Sequence, residues 1–380
     1  MRFKDRWNYL LNAPKIVFDI GVLGKYKFKY DLMPVSIENM PLKKRANLLK
    51  AGLNLFYYRL NPWSRPIHMQ IELTNYCNLS CVVCPTGTKK LERKPVSMDP
   101  DMFKRLFDEV SPYLLTVSLW GWGESLLHPC LPDMLEIAHN RGVTTLVSTN
   151  GQNLDDPRVL KALSDFPPTY LIVAIDGTTD VTNSKFRVGA RIAPALDGVR
   201  QLMEMKQKSG AKYPILHLRF IAMKHNEHEL PVLREFAITN KFEFLSIRTL
   251  SIIDAPDDVH TAMIPEDDKY KAYAYENQRR VRRQDYSCEQ CFVFPAVFAD
   301  GTVVCCDQDC NASHAYGSMA GGASFNSLWR NEKSRAIRKT IRDNMDEFSF
   351  CLNCPFRDRP INTCSIQSFD LRKPDKQTKK

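Results

Sequence analysis

Two hydrophobic patterns alternate between residues 68 and 249. Short apolar runs rich in β-branched residues predict buried strands, and longer segments with apolar residues at helical spacing predict helices between them. The predicted strands are His68–Leu73, Thr116–Trp120, Val143–Thr149, Tyr170–Ile175, Ile215–Met223 and Phe244–Thr249. The predicted helices are Asp99–Val110, Leu131–Asn140, Pro157–Leu163, Ala193–Lys208 and Glu229–Thr239. Such alternation predicts a parallel sheet with helices outside it, and residues that follow the strands then meet at its carboxyl edge.

The flanking residues follow other patterns. Apolar residues recur at helical spacing from Pro41 to Leu60, and Asn61-Pro62 ends that helix. We therefore expect a mostly helical extension that packs on the body of the protein. The expected divisions are an extension over 1–66, an α/β core over 67–255, a linker helix over 256–286, a cysteine-rich domain over 287–370 and a basic tail over 371–380.

Composition narrows the class of protein. The 380 residues are 44% hydrophobic, which supplies a sizeable core, and no segment reaches the roughly 18 apolar residues of a membrane span. The net charge is +10, but the basic runs lack the interleaved aromatic residues that stack bases, so no nucleic-acid partner is expected. The twelve cysteines are clustered, which is typical of metal binding in a reducing compartment, and we expect a cytoplasmic protein.

One cysteine group directly follows the first predicted strand of the core. Cys77, Cys81 and Cys84 lie within eight residues, and thiolates are the preferred ligands of iron-sulfur clusters and zinc. A 4Fe-4S cluster held by three cysteines has one iron open to a small molecule. The alternative is a zinc site that takes a distant fourth ligand.

The spacing of these cysteines after Ile71–Tyr76 resembles the radical S-adenosylmethionine (SAM) superfamily. The resemblance implies a partial (β/α)6 barrel in which SAM chelates the open iron of a 4Fe-4S cluster. It also implies that reductive cleavage of SAM releases a 5′-deoxyadenosyl radical, which abstracts a hydrogen from the substrate. Val83 stands where the family usually has an aromatic residue next to the adenine, so an aliphatic contact is expected there instead.

Later strand ends resemble the cofactor-binding segments of the same family. Gly123 and Glu124 are similar to its Gly-Gly-Glu segment, which binds the methionyl amino group, and the alternative for them is an ordinary turn. Ser148 and Asn150 are similar to a segment near the ribose and carboxylate. The resemblance extends to Asp176 and to a downstream arginine, Arg187. A guanidinium can bind the methionyl carboxylate with two parallel hydrogen bonds, although a salt bridge within the protein is the rival role for Arg187.

A second cysteine group lies between residues 288 and 364. Its spacing resembles the SPASM domain, or the shortened twitch form, which holds auxiliary 4Fe-4S clusters in a subgroup of radical SAM enzymes. Adjacent Cys305 and Cys306 are expected to point to opposite faces of a strand, so one of them, Cys306, is assigned to the cluster. The expected ligands are Cys288 or Cys291, Cys306, Cys351 and Cys354, with Cys310 and Cys364 available for part of a second cluster.

Two other interpretations of the second group stay open. The Cys-x-x-Cys pairs also fit a zinc ribbon. If Cys305 is taken as the ligand instead, the cysteine spacing resembles that of the second cluster of the molybdenum-cofactor cyclase, a radical enzyme that acts on GTP. The glycine- and arginine-rich carboxyl terminus of that family is absent from this sequence.

The combined features favour a radical enzyme that modifies a peptide, a sugar or a small metabolite. An auxiliary cluster would accept an electron from the substrate radical or relay electrons, and Asp307 is a candidate general base for the accompanying proton. A flavodoxin- or ferredoxin-like protein is the expected electron donor. The alternative class is a non-catalytic iron-sulfur or zinc protein, which has no need of the residues at four successive strand ends.

Overall fold

A ten-stranded sheet forms the centre of the molecule, which is described here from a computed structural model. The structure describes residues 13–251, 262–272, 274–276, 279–281, 286–352, 354–357 and 363–373. The strands are β1 (Tyr26–Tyr30), β2 (Met33–Ile37), β3 (His68–Ile71), β4 (Thr116–Leu119), β5 (Thr144–Thr149), β6 (Tyr170–Ala174), β7 (Ile215–Ala222), β8 (Phe244–Thr249), β9 (Ala274–Glu276), β10 (Arg279–Val281), β11 (Ala296–Val297), β12 (Thr302–Val304), β13 (Ala315–Ser318) and β14 (Ser365–Asp370). The α-helices are α1 (Leu42–Tyr57), α2 (Pro100–Val110), α3 (Leu131–Asn140), α4 (Pro157–Asp165), α5 (Asp180–Ser184), α6 (Ile192–Ser209), α7 (Leu233–Thr239), α8 (Gln290–Val293), α9 (Phe325–Trp329), α10 (Glu332–Asn344) and α11 (Ser349–Leu352), and residues 13–21 are also helical.

The six core strands β3 to β8 pair in parallel in the order of the chain. This arrangement confirms the predicted parallel sheet with crossover helices. The side chains of Asp99 and Asp156 cap α2 and α4 by accepting hydrogen bonds from N–H groups of the first turn, and a proline follows each cap. The amphipathic helices bury their apolar faces, which in α2 include Phe103 and Phe107, against the sheet.

Carboxyl-terminal strands extend the core sheet at both edges. β11 pairs in parallel with β3 and continues into the antiparallel strands β12 and β13. At the other edge, β14 pairs antiparallel with β8. Asp300 and Gly301 lie in the turn between β11 and β12, and hydrogen-bonded strands cross the expected domain boundary at residue 287.

The amino-terminal extension contains a β-hairpin in addition to the expected helix. β1 and β2 are antiparallel, and Asp31 and Leu32 at the turn have positive φ values of 47° and 65°. The hairpin reaches the core strands, because the Tyr30 hydroxyl lies 2.8 Å from Ser118 Oγ on β4 and the Tyr170 hydroxyl donates to the Pro34 carbonyl at 2.8 Å. The extension thus contributes to the interior of the barrel.

The expected linker helix over 256–286 is not continuous, although residues 262–263 are helical. Residues 274–276 and 279–281 form the antiparallel pair β9–β10 instead of a helix. Residues 252–261, 273, 277–278 and 282–285, as well as 374–380 of the basic tail, lie outside the described residues. Within the described part, no helix is both long enough and apolar enough to span a membrane.

A buried arginine organises the cysteine-rich part of the chain. Arg338 on α10 is fully buried and lies over the Trp329 ring at 4.0 Å. Its guanidinium donates hydrogen bonds to the carbonyls of Trp329 at 2.9 Å, Cys291 at 3.2 Å and Leu60 at 3.2 Å. These bonds join α10 to the segment that carries Cys291 and to the end of the amino-terminal extension.

Candidate functional site

The three-cysteine loop lies at the carboxyl edge of the parallel strands, where the sequence predicted it. Ser80 N–H donates to the Val188 carbonyl at 3.0 Å and Val82 N–H to the Phe186 carbonyl at 3.2 Å, so the loop is fixed to the segment after α5. Asn150, which follows β5, reaches the loop from another strand. Its amide nitrogen lies 3.8 Å from Cys77 Sγ and donates to Asn78 Oδ1 at 2.8 Å.

The chemistry of the loop thiols fits a thiolate-bound cluster. All twelve cysteines are free of disulfide bonds. Burial raises the pKa of the Cys77 thiol and raises that of Cys81 to about 12, so these thiols hold their protons at neutral pH unless a metal replaces them. No three His, Cys, Asp or Glu side chains in the described ranges are placed to hold a single metal ion. Each cysteine of a 4Fe-4S cluster binds a different iron, so its ligands need not converge on one ion.

Gly123 and Glu124 join two strand ends to the cysteine loop. A Cβ atom at Gly123 would overlap the Thr74 carbonyl oxygen and would lie 2.6 Å from that of Tyr76. Glu124 is 4% exposed, and its carboxylate accepts hydrogen bonds from Asn150 N–H at 2.7 Å and from Leu126 N–H at 3.1 Å. Burial raises the pKa of Glu124, although these hydrogen bonds oppose that effect. Glycine is thus required for the close approach, and the Glu124 carboxylate connects the turn after β4 with the turn after β5.

Asp176 and Arg187 form a buried ion pair beside the cysteine loop. Arg187 Nε lies 2.6 Å from Asp176 Oδ2, and the two side chains are 11% and 0% exposed. The N–H of Arg187 does not point at the carboxylate oxygen, so the contact is an ion pair rather than an aligned hydrogen bond. Burial lowers the pKa of Arg187, but the nearby acidic groups, of which Asp176 contributes most, outweigh burial and raise the pKa above its usual value. Arg187 therefore forms a salt bridge within the protein, which was the alternative to binding the methionyl carboxylate. This ion pair lies close to a predicted cluster ligand.

Val83 and Ser148 complete the set of residues that the sequence assigned to the cofactor. Val83 is 8% exposed and belongs to an apolar group whose buried members also include Phe186, Met223 and Leu250. Phe186, Met223 and Leu250 follow three different elements and form an apolar surface with Val83, and the contact of Val83 with the adenine stays a prediction. Ser148 is half-buried on β5, two residues before Asn150.

Sequence reasoning did not identify Glu72 as part of this region. Glu72 directly follows β3, is 1% exposed, and binds Arg93 through two hydrogen bonds of 2.7 and 2.9 Å. It also accepts hydrogen bonds from Trp122 N–H at 2.9 Å and from Ala299 N–H at 3.2 Å. One carboxylate thus connects the segment that follows the cysteine loop, the turn after β4 and the turn between β11 and β12. An acidic residue within the apolar strand end Ile71-Glu-Leu73 was the available signal.

The second cysteine group comes together from four segments of the chain. The Cys288 and Cys291 thiols share a hydrogen bond, which lowers the pKa of Cys288 to about 7. Burial raises the pKa of Cys351, and the nearby thiols of Cys288 and Cys305 raise it further. The pKa of Cys354 is raised to about 12 by burial, with Cys288 as the next contribution. The predicted ligands therefore lie in one buried region.

Cys305 belongs to this region together with Cys306. Cys305 is fully buried, whereas Cys306 is half-buried. Burial is the largest cause of the raised pKa at both thiols, and Cys288 contributes at both. Cys364 lies next to Ser251, whose hydroxyl is 3.5 Å from its sulfur, and it also contributes to the raised pKa of Cys354. The preference for Cys306 over Cys305 as ligand stays a prediction.

Asp307 lies between the second cysteine group and the barrel interior. Its carboxylate accepts a hydrogen bond from the Gln70 amide on β3 at 3.4 Å and lies 3.6 Å from Cys306 Sγ. The Trp122 indole N–H donates to the Asp307 carbonyl at 3.0 Å. Asp307 is half-buried and contacts both Cys306 of the second cysteine group and Gln70 of β3, and its role as a general base stays a prediction.

The core of this chain is similar in sequence to known proteins. Residues 71–237 match the Radical SAM superfamily. The Fe-coproporphyrin III synthase of Methanosarcina barkeri is 30% identical over 162 residues, which cover 43% of this chain and 38% of that protein. The PqqA peptide cyclase of Ruegeria pomeroyi is 29% identical over 174 residues, or 46% of this chain and 44% of that protein. Each match spans less than half the length of the curated relative.

The fold is also similar to that of a solved structure. The crystal structure of Streptococcus suis SuiB bound to S-adenosylmethionine superimposes with a TM-score of 0.58 at 15% identity. The superposition covers 82% of this chain and 76% of that one. The predicted partial barrel of the radical SAM type is confirmed.

Proposed function

We propose, since residues 71–237 are a radical SAM domain, that this chain cleaves S-adenosylmethionine and uses the resulting radical to modify a peptide. The observation that carries the proposal is the three-cysteine loop, which is held at the carboxyl edge of the barrel beside Asn150 and the Asp176–Arg187 pair. When bound by Cys77, Cys81 and Cys84, a 4Fe-4S cluster supplies the electron that cleaves SAM.

The protein's own side chains would bind and orient the cofactor. Gly123 lies against the backbone carbonyls of Thr74 and Tyr76 next to the loop, and backbone carbonyls beside this glycine would accept hydrogen bonds from the methionyl ammonium group. Arg187 would hold the methionyl carboxylate, and Val83 would cover the adenine with an aliphatic surface. Ser148 and Asn150 lie towards the ribose in this proposal. Glu124 would keep the turns after β4 and β5 in position through its two backbone hydrogen bonds.

The second cysteine group would hold at least one auxiliary 4Fe-4S cluster. Its thiols are buried and come from segments separated in the sequence, so a cluster would also connect those segments. Asp307 would accept the proton that an oxidised substrate loses, because its carboxylate lies next to Cys306 and faces Gln70 of the barrel. An external flavodoxin- or ferredoxin-like protein would supply electrons. The clustered free thiols support a reducing compartment such as the cytoplasm.

A peptide is the substrate class that the relatives favour. The PqqA peptide cyclase is among them, and SuiB, which shares the fold, has also been crystallised with a precursor peptide. A tetrapyrrole is the second candidate, because another relative is an Fe-coproporphyrin III synthase.

Cluster reconstitution tests the proposal directly. Anaerobically reconstituted protein should bind iron and sulfide for more than one 4Fe-4S cluster and form 5′-deoxyadenosine from SAM after reduction. Replacing Cys77, Cys81 and Cys84 together by Ala should abolish 5′-deoxyadenosine and leave an iron-sulfur absorbance. An iron-free triple variant, or zinc in the carboxyl-terminal region, would contradict the two-site assignment.

A further inference from the structure

Three charged side chains meet inside the barrel, beside Cys364 and away from the three-cysteine loop. Asp31 at the turn of the β1–β2 hairpin places its Oδ2 3.3 Å from Arg248 Nε on β8 and 3.6 Å from Arg219 Nη2 on β7. The other oxygen of Asp31 accepts hydrogen bonds from the Thr363 hydroxyl at 2.5 Å and from Ser365 N–H at 3.0 Å. Two guanidinium groups therefore share one carboxylate oxygen, which leaves an excess of positive charge.

Arg219 is the less compensated of the two arginines. Its side chain is 7% exposed, and its buried Nε, like that of Arg248, has no hydrogen-bond partner among the described residues. Arg248 has a further contact, because its guanidinium also hydrogen-bonds the Cys364 thiol. A buried cation without a full set of acceptors is costly, and an anion that supplies them would remove the cost.

The neighbouring Tyr30, His217 and Trp120 side chains do not supply the missing negative charge. Burial raises the pKa of the Tyr30 hydroxyl, so it stays neutral, and burial lowers the pKa of His217, which also stays neutral. The Trp120 ring lies 5.7 Å from the Arg219 guanidinium and offers an aromatic face rather than an acceptor. Burial and the charge of Arg248 lower the pKa of Arg219 to about 9, which still leaves it charged at neutral pH.

The position of the arginine pair suits a substrate group. Arg219 is paired in the sheet with Ala174, two residues before Asp176, and Arg248 is paired with Ile221. Asp176 in turn accepts a hydrogen bond from Ile221 N–H at 2.7 Å. Arg219 and Arg248 therefore lie in the barrel interior, within one or two residue positions of the Asp176–Arg187 ion pair. That ion pair is next to the cysteine loop.

We propose that Arg219, together with Arg248, binds a carboxylate of the substrate inside the barrel. The guanidinium fork matches the two oxygens of a carboxylate, which gives both affinity and orientation. For the peptide substrate of the proposed function, on which this inference rests, the carboxylate belongs to an acidic side chain or to the carboxyl terminus. Asp31 holds the arginines in place and competes with the substrate for them.

Calorimetric titration of three short peptides into the reconstituted, SAM-bound enzyme tests this site. Acetyl-Ala-Glu-amide carries a side-chain carboxylate, and acetyl-Ala-Gln with a free carboxyl end carries a terminal carboxylate. The third peptide, acetyl-Ala-Gln-amide, carries no carboxylate. At least one of the two anionic peptides should bind ten times more tightly or better than the neutral one, and the stronger of the two identifies the source. Equal affinity for all three peptides, or no binding of any, would overturn the proposal.

Variants separate a binding role from a structural one. Arg219→Gln should weaken binding of the preferred anionic peptide at least tenfold, and Asp31→Asn should strengthen it, because the competing carboxylate is lost. Arg200→Gln is the control, since that arginine is 61% exposed and should leave affinity unchanged. Weaker binding in both Arg219→Gln and Asp31→Asn would overturn the proposal, because a network that only stabilises the fold predicts that result.

Two further measurements keep the test decisive. If Arg219→Gln does not fold, Arg219→Lys retains the charge without the fork and should still weaken binding, whereas unchanged affinity would count against the site. Formation of 5′-deoxyadenosine is measured in parallel. Normal SAM cleavage without selective carboxylate binding refutes the arginine site alone, and carboxylate binding without SAM cleavage refutes the proposed function.

Discussion

Single residues at the strand ends are held by partners within the chain. Arg187 faces the fully buried Asp176, and Glu124 binds two backbone N–H groups. These contacts fix the side chains before any cofactor arrives, so less conformational entropy is lost on binding. Preorganisation of this kind makes the effect of single substitutions large and specific.

Replacing Arg187 by Ala should weaken SAM binding by about 1.5 to 3 kcal/mol, which is the usual contribution of a charge-assisted hydrogen bond. The change also leaves the Asp176 carboxylate buried without its cation, so Arg187→Lys is needed as a second variant that retains the charge. Equilibrium binding of SAM to reconstituted protein measures both. Arg200→Ala, on the outer face of α6, should bind SAM normally, and normal affinity in Arg187→Ala would remove Arg187 from the site.

Replacing Gly123 by Ala should destabilise the cysteine loop. The new methyl group would overlap the Thr74 carbonyl, and the turn cannot easily move away because Glu124 N–H donates to the Tyr76 carbonyl at 2.7 Å. Overpacking of this kind costs about 1 to 3 kcal/mol. We expect a lower thermal unfolding midpoint and less iron bound at the loop.

The matched control for Gly123 is Gly52 within α1. No atom lies within 4 Å of a Cβ at Gly52, so Gly52→Ala should stabilise the protein by about 0.5 to 1 kcal/mol through its better helix propensity. Unfolding midpoints that shift in the same direction in the two variants would contradict this account.

At the level of elements, the carboxyl-terminal strands belong to the core sheet on both sides. β11 lies against β3, and β14 lies against β8, so the second cysteine group is anchored by strands that flank the barrel. The Glu72 carboxylate adds a side-chain connection to this arrangement through Ala299 N–H. The two cysteine groups therefore have a fixed relation, but they use separate thiols and can be tested separately.

Replacing Cys351 and Cys354 together by Ala should reduce the iron content and leave reductive SAM cleavage at the loop largely intact, because the two steps use different irons. Conversion of a peptide substrate should cease if the auxiliary cluster accepts its electron. Iron analysis, 5′-deoxyadenosine formation and product mass measure the three effects. Cys130→Ala is the control, since Cys130 lies before α3 and belongs to neither cysteine group. If the double variant folds and converts substrate at the native rate, the auxiliary cluster has only a structural role.

At the scale of the whole molecule, the amino-terminal hairpin belongs to the barrel interior. Met33 on β2 is fully buried in an apolar group that also contains Tyr170 and Phe244, which belong to β6 and β8. Asp31, at the turn, contacts both β7 and β14. The hairpin is therefore part of the core that supports the site rather than a separate appendage.

Replacing Met33 by Ala should lower the free energy of unfolding by about 2 to 5 kcal/mol, because the change leaves a cavity among fully buried side chains. Val22→Ala, at a position 64% exposed just before the hairpin, should change it by less than about 0.5 kcal/mol. Denaturant unfolding of the two variants and the native protein provides the comparison. A change at Met33 as small as that at Val22 would show that the hairpin is not part of the core.

The sequence alone determined the core strands and helices, the parallel sheet and the cysteine loop at its edge, because periodicity and short spacings are local properties. Only the tertiary structure decided how the hairpin enters the barrel and which charges meet inside it. Asp31 and Ser365 are 334 positions apart, and Glu72 and Ala299 are 227 apart. Contacts of this kind leave no periodic or local pattern in one sequence, because they depend on where separately folded segments pack.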